Sequence, residues 1–210
     1  MKTPNFLKLT AAALFLVAAT ASAGTIEGTR HDLSGETWTG GEICIVCHAA
    51  HNNVNAAGEM LWNHTMSAET NYTLYTSPTF SQGPGNQPSG SSKLCLSCHD
   101  GTIAVDSFGG TGSGVPDWFL SGNNSFGTDL SNDHPISFAY TPGPGQELNP
   151  TNTDVVFGDG SSGSIADMLF GADVECSSCH DVHNTKAAPD TPLLLVNNVG
   201  SALCLTCHIK

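Results

Sequence analysis

Eight cysteines and nine histidines in 210 residues carry the chemistry of this chain. The cysteines form four C-x-x-C pairs, Cys44/Cys47, Cys95/Cys98, Cys176/Cys179 and Cys204/Cys207. A histidine follows each pair at once: His48, His99, His180 and His208. A histidine at one given position has a probability of about 4 % on this composition, so four in a row are not an accident. Zinc ribbons also use C-x-x-C pairs, but tetrahedral zinc does not require the following histidine. A thioredoxin-like redox pair needs a βαβ setting, and no such alternation is visible. Disulfides would not repeat this spacing four times. Covalent haem attachment explains every part of it. Two thiols one turn apart add across the two vinyl groups, and the next histidine presents its imidazole to the iron. The pattern therefore predicts four c-type haems, with the eight cysteines as thioether anchors and His48, His99, His180 and His208 as proximal ligands.

Five histidines remain as candidates for the opposite side of each iron: His31, His51, His64, His134 and His183. Two of them repeat a spacing, His48-Ala-Ala-His51 and His180-Asp-Val-His183. A histidine three residues beyond a proximal ligand lies on the same side of a short helix. It cannot reach the far face of the same haem, so its natural target is a neighbouring iron. His64 and His134 stand alone between motifs, and His31 lies in an amino-terminal arm without a motif. Met60, Met66 and Met168 are alternative sixth ligands that would give a higher potential. Five candidates for four irons leave no iron forced to stay open, and no motif carries an altered proximal residue. A reductase needs an open iron with acid–base groups around it. One-electron transfer is the better reading, and the chain is expected to be an electron carrier rather than an enzyme.

The elements that must hold these groups are short. Turn-forming stretches separate the motifs: residues 81–92, 109–114, 141–145 and 158–163 are rich in Gly, Pro, Ser and Asn. Helical turns are predicted around residues 42–51, 92–99, 164–169, 172–183 and 201–208, with short strands at 153–157 and 136–140. Neither strand suggests a sheet able to support a domain. The expected fold is a multihaem c-type cytochrome, mostly irregular with short helices and few strands, packed around four covalently bound haems. Trp62, Phe108, Trp118, Phe119, Leu169 and Phe170 are candidates for packing against porphyrin.

Lys2 and Lys8, the apolar run 9–20 and Ala21-Ser22-Ala23 read as a signal peptide over residues 1–23. Residues 24–210 then form a single tetrahaem domain, exported through the periplasm to the cell surface or beyond. The apolar run is too short to span a bilayer, where about 20 residues are needed, so no stable membrane insertion is expected. The whole chain has a formal charge of −13. Loss of two lysines with the signal leaves four basic residues against nineteen acidic ones, and the mature chain stands at −15. Nucleic acid is excluded as a partner, because phosphate binding needs a basic face. Asn63, Asn71 and Asn123 each open a glycosylation sequon, a weak signal.

Several segments resemble the OmcE-type tetrahaem c-type cytochromes, the extracellular cytochrome filament family. They are His31–Ser34 (HDLS), Glu42–Asn52 (EICIVCHAAHN), Leu61–His64 (LWNH), Leu94–Gly109, Asn132–Phe138 (NDHPISF) and Glu175–Asn184 (ECSSCHDVHN). The resemblance covers most of the mature chain. It implies a head-to-tail homopolymer with a continuous haem chain and bis-histidine ligation throughout. It also implies electron exchange with other multihaem cytochromes or with extracellular acceptors such as minerals. A distal histidine donated across the subunit boundary belongs to the same expectation, with His31 as the candidate. From the residues alone, a monomeric periplasmic shuttle fits the same cofactors.

Overall fold

The computed structural model describes residues 25–51, 61–82, 86–109, 111–112, 118–188 and 190–209. The expected signal peptide and Met60 lie outside these residues. Among them, two α-helices occur, α1 (Gly90–His99) and α2 (Ala202–Cys207). Six strands make three two-stranded antiparallel sheets. β1 (Ser107–Phe108) pairs with β2 (Thr111–Gly112), and β3 (Phe138–Ala139) with β6 (Asp173–Val174). β4 (Asp154–Val156) pairs with β5 (Ser162–Ser164) in register Val155↔Gly163. No helix among the described residues is long and apolar enough to cross a membrane. The fold is mostly irregular, with few helices and strands.

The helices coincide with the second and fourth motifs, as expected. α1 follows Ser89, whose extended backbone (φ −134°) starts the helix, and it ends where Asp100 N–H donates to Leu96 O at 3.0 Å. Gly90 is required at its first position. Its φ is +47°, and a Cβ there would stand 3.0 Å from the Phe170 ring and 3.2 Å from the Glu175 carboxylate. The strands at 154–156 and 138–139 fall inside the predicted segments, and a 3₁₀ turn at Ile165–Met168 stands where helix was expected at 164–169.

Two predicted helices do not form. Residues 42–51 make one turn closed by His48 N–H on Cys44 O at 2.8 Å, then a bend at residues 50–51. Residues 172–183 become β6 followed by a 3₁₀ turn at Cys176–Ser178. The cause is tertiary. The N–H of Ala49 donates to Leu61 O and that of Asp181 to Leu193 O, so neither group is left to continue an i→i−4 ladder.

A protein core lies in the carboxy-terminal half. Phe138, Tyr140, Val155, Phe157, Ile165, Met168, Val174, Leu195 and Val196 are buried together, with Phe80, Leu148, Leu169 and Leu203 packed on them. This core is larger than a chain built around porphyrin alone was expected to have. A chain crossing closes it: a Cβ on Gly158 would meet Ala188 N at 2.2 Å, so only glycine fits. A smaller cluster, Tyr72, Leu96 and Leu130, backs α1.

Candidate haem-binding site

The four motifs are held in two ways. The second and fourth sit in α1 and α2, where helical geometry brings each pair of thiols to one side. The first and third are single turns braced by a strap. In the first, Ala49 N–H donates to Leu61 O (2.9 Å) and Asn63 N–H to Cys47 O (2.9 Å). In the third, Asp181 N–H donates to Leu193 O (3.0 Å) and Leu195 N–H to Cys179 O (3.0 Å). Each strap bonds the residues on either side of the motif histidine, and in the third motif the Leu193 carbonyl also accepts from the His180 ring. The Asn63 side chain tightens the first strap by donating to Ile45 O at 2.6 Å. Asn63 is thereby buried and engaged, whereas Asn71 and Asn123 are exposed.

Motifs two and three are joined directly. Ser91 and Ser177 share a hydrogen bond of 2.6 Å, and Cys176 N–H donates to Ser92 Oγ at 2.9 Å. Glu175 completes the joint. Its buried carboxylate accepts from Ser137 Oγ (2.9 Å), Ser89 Oγ (3.4 Å) and both the hydroxyl and the N–H of Ser92. A carboxylate from one motif thus caps the amino terminus of the helix that carries another, where the helix end is positive. Burial nonetheless raises the pKa of Glu175 above the ordinary carboxylate value. Motif four is tied to the core by Tyr140 Oη on Asn149 O (2.7 Å), Asn149 N–H on Cys207 O (2.8 Å) and Ile209 N–H on Glu147 O (2.9 Å).

The histidine rings meet in pairs. His31 and His99 have ring centroids 6.0 Å apart, His48 and His183 6.1 Å, His134 and His208 6.3 Å. Three motif histidines thus each face a different histidine from outside the motifs. These spacings are too wide for direct ring stacking. They match two imidazoles on opposite sides of one metal ion, which metal–nitrogen bonds of about 2 Å would set roughly 6 Å apart. The residues present fit a bis-histidine haem iron. His31 adds a buried Nδ1 without a hydrogen-bond partner, a cost of about 1–3 kcal/mol for an unsatisfied buried group that a metal bond would remove. Burial, with His99 and His180 close by, also lowers its pKa.

Carbonyl groups fix several of these rings. His99 Nδ1 donates to Asn124 O (2.8 Å) and His134 Nδ1 to Pro135 O (2.8 Å), the usual outer-shell device that orients a ligating imidazole. His64 is wholly buried, with Nδ1 2.8 Å from Thr65 O and Nε2 3.0 Å from Ala104 O and 3.4 Å from Cys98 Sγ. Burial lowers its pKa. Burial lowers the pKa of His180 as well, and the nearby His99 adds to this. His51 is exposed. Met66 meets Ser97, whose Oγ donates to its sulfur at 3.3 Å, and Met168 is part of the carboxy-terminal core.

None of the eight cysteines is paired in a disulfide, and they lie close enough to influence each other from motif to motif. Burial, with Cys44 adding to it, pushes Cys47 up to about 11, and burial pushes Cys98 up further, with Cys47 adding to it. Cys95 and Cys176 are hydrogen-bonded, which raises the first and lowers the second. Cys179 rises to about 11 through burial, then through Cys207, Cys176 and Cys204. Neighbouring thiols run one–two, two–three and three–four along the chain.

Aromatic side chains gather at the second motif. Trp38 packs on Phe108 and Trp118, each at 5.8 Å, and Phe126 lies 5.6 Å from His99. Trp38 and Phe126 are absent from the sequence-based candidates. Phe126 follows the Gly122–Asn124 turn, and its N–H bonds His99 O at 2.7 Å. Trp62 is buried edge-on to His48, while Trp118, Phe119 and Phe170 are exposed.

A family model described as a doubled CXXCH motif matches residues 170–210, the stretch that holds the third and fourth motifs. No curated protein matches the chain. The paired motif suggests a multihaem c-type cytochrome working in haem-based electron transfer, and CXXCH motifs indicate covalently bound c-type haem. An electron-carrier role is consistent with it.

Proposed function

We propose that the protein carries electrons through four bis-histidine c-type haems, as the subunit of an extracellular filament. The observation that supports this most is the set of three ring pairs at 6.0–6.3 Å, each joining a motif histidine to one from elsewhere. Bound haem supplies a one-electron iron couple. The chain's own residues anchor, orient and exclude. Eight cysteines form the thioethers. His48 pairs with His183, His99 with His31, and His208 with His134. His51 takes the iron of His180, because His183 crosses from motif three to motif one and the same spacing lets His51 make the return crossing. His64, wholly buried with Nδ1 2.8 Å from Thr65 O, is then the histidine left over. Closed coordination at every iron leaves no position for substrate, so the protein is a carrier and not an enzyme.

Filament assembly, export and electron exchange with other multihaem cytochromes or extracellular acceptors rest on the resemblance and on the signal segment. The exposed aromatics Trp118, Phe119 and Phe126 beside motif two offer a surface for a second copy, and a heterologous contact that does not close generates a filament. The second reading is a monomeric periplasmic shuttle with the same haems. Mass spectrometry of the exported protein tests the cofactor count, with four haems expected. Negative-stain microscopy of secreted material tests assembly, and monodisperse particles alone would leave the shuttle.

A further inference from the structure

The ring pairs differ in twist. The planes of His48 and His183 lie 21° apart, those of His134 and His208 71° apart, and His31 and His99 stand between at 55°. For two imidazoles on opposite sides of one iron, the angle between planes is the torsion about the ligand axis. Each ring donates π density into the iron d orbital perpendicular to its plane. Parallel rings raise the same orbital and split the pair of dπ levels. Crossed rings raise one level each and leave the two nearly degenerate.

We infer that the irons facing His48/His183 and His134/His208 are electronically inequivalent, and that the crossed site of His134/His208 is reduced before the near-parallel one. This rests on the ligand pairs proposed above. In low-spin ferric iron the hole occupies the highest dπ level. Parallel rings lift that level most, which stabilises the oxidised state and lowers the potential. Crossed rings forgo that stabilisation, so the electron settles there first. Reduction adds one electron to each iron and breaks no bond.

The torsions are built into the chain rather than left to free rotation. The Trp62 ring stands at 90° to His48, with centroids 6.3 Å apart, and blocks one direction of rotation. The strap fixes the backbone on either side of His48. His134 is turned by its own Nδ1 bond to Pro135 O, and His208 enters from the end of α2 on a backbone bridged to Leu148. Two unrelated constraints thus give two different angles. These are the outer-shell and distortion levers by which a protein tunes a haem.

Electron paramagnetic resonance of the fully oxidised holoprotein tests this. A near-parallel pair gives a rhombic low-spin signal, and a crossed pair gives a signal of large g anisotropy. His134→Met is expected to weaken the large-anisotropy signal by one iron's share and leave the rhombic one intact, and His183→Met to do the reverse. The thioethers keep each haem attached, so both variants retain their cofactors. On stepwise reduction the large-anisotropy signal bleaches first. Four low-spin irons of a single signal type, an exchange of the two variant effects, or the opposite bleaching order would each overturn the inference. Fewer than four haems, or high-spin iron in the unaltered protein, would instead defeat the proposed ligation itself.

Discussion

Leu61 and Leu193 are the same residue of two copies of one backbone design. Both hold a left-handed conformation, φ 58° and 67°, which a leucine rarely adopts. Both accept a hydrogen bond from the residue after a motif histidine, and both open a strap whose third residue bonds back to the motif's second cysteine. Each strap follows a motif extended to C-x-x-C-H-x-x-H, and each is followed in the chain by a motif held in a helix. The stretch matched as a doubled motif is the second copy, and residues 44–99 repeat its plan with a longer connection.

The left-handed leucine leads to a pair of substitutions. Leu61 is exposed, so Leu61→Gly loses little burial and relieves the strained backbone, and stability should change by less than about 0.5 kcal/mol. Leu61→Val puts a branched side chain in the same conformation and should cost about 1 kcal/mol or more. Thermal melts of both holoproteins check this, with about 2–4 °C expected per kcal/mol for a chain of this size.

Glu175 makes stability depend on pH. Its folded pKa lies above the unfolded value because burial disfavours the charge, so the fold binds this proton more tightly than the unfolded chain does. Stability is therefore highest below the ordinary carboxylate range and falls as pH rises through the raised folded pKa. Glu175→Gln keeps an acceptor for the serines without the charge, and should flatten that part of the pH profile. Glu175→Ala leaves Ser89, Ser92 and Ser137 without their acceptor and should cost about 2–3 kcal/mol. Denaturation measured across mildly acidic to neutral pH separates the two.

Much of this was legible before the structure. The four C-x-x-C-H motifs are read from spacing, and the helices at motifs two and four follow from continuous local pattern. Residues 42–51 show the same local pattern and are not helical, because the competing acceptor, Leu61 O, arrives from a distant segment. The tie between motifs two and three was equally hidden. Glu175 reads as a surface acid until Ser89, Ser92 and Ser137 are brought around it, and no sequence period announces that. Trp38 lacked a signal because its partners, Phe108 and Trp118, come from elsewhere in the chain. The reach of His183 to another motif is readable from the repeated spacing, although residues 172–183 do not form the helix that their local pattern predicts.

Ligand assignment can be read from carbon monoxide binding. His183→Ala should open one iron and let carbon monoxide bind to about a quarter of the haem after reduction. His64→Ala should open none, and its cost should appear as lost stability from an emptied buried site, about 1–3 kcal/mol. Binding in the His64 variant instead of the His183 variant would reverse the assignment.

The crossing at Gly158 predicts a sharp contrast among glycines. Gly158→Ala drives a methyl into the backbone of Ala187 and Ala188 and should cost about 3 kcal/mol or more. Gly35→Ala meets nothing within 4 Å and should stay within about 0.5 kcal/mol of the parent. Chemical denaturation of the two holoproteins measures both.

Because each strap closes its own motif, the chain that follows carries no duty toward that haem. The stretch between Leu195 and Cys204 is short, while that between Asn63 and Cys95 is several times longer and includes His64 and Tyr72. His64 and Tyr72 are buried and Tyr72 backs α1, so insertions are tolerated only at the exposed turn around Thr76, Pro78 and Thr79. A lineage built on such a unit can vary that exposed turn while the two motifs keep their places.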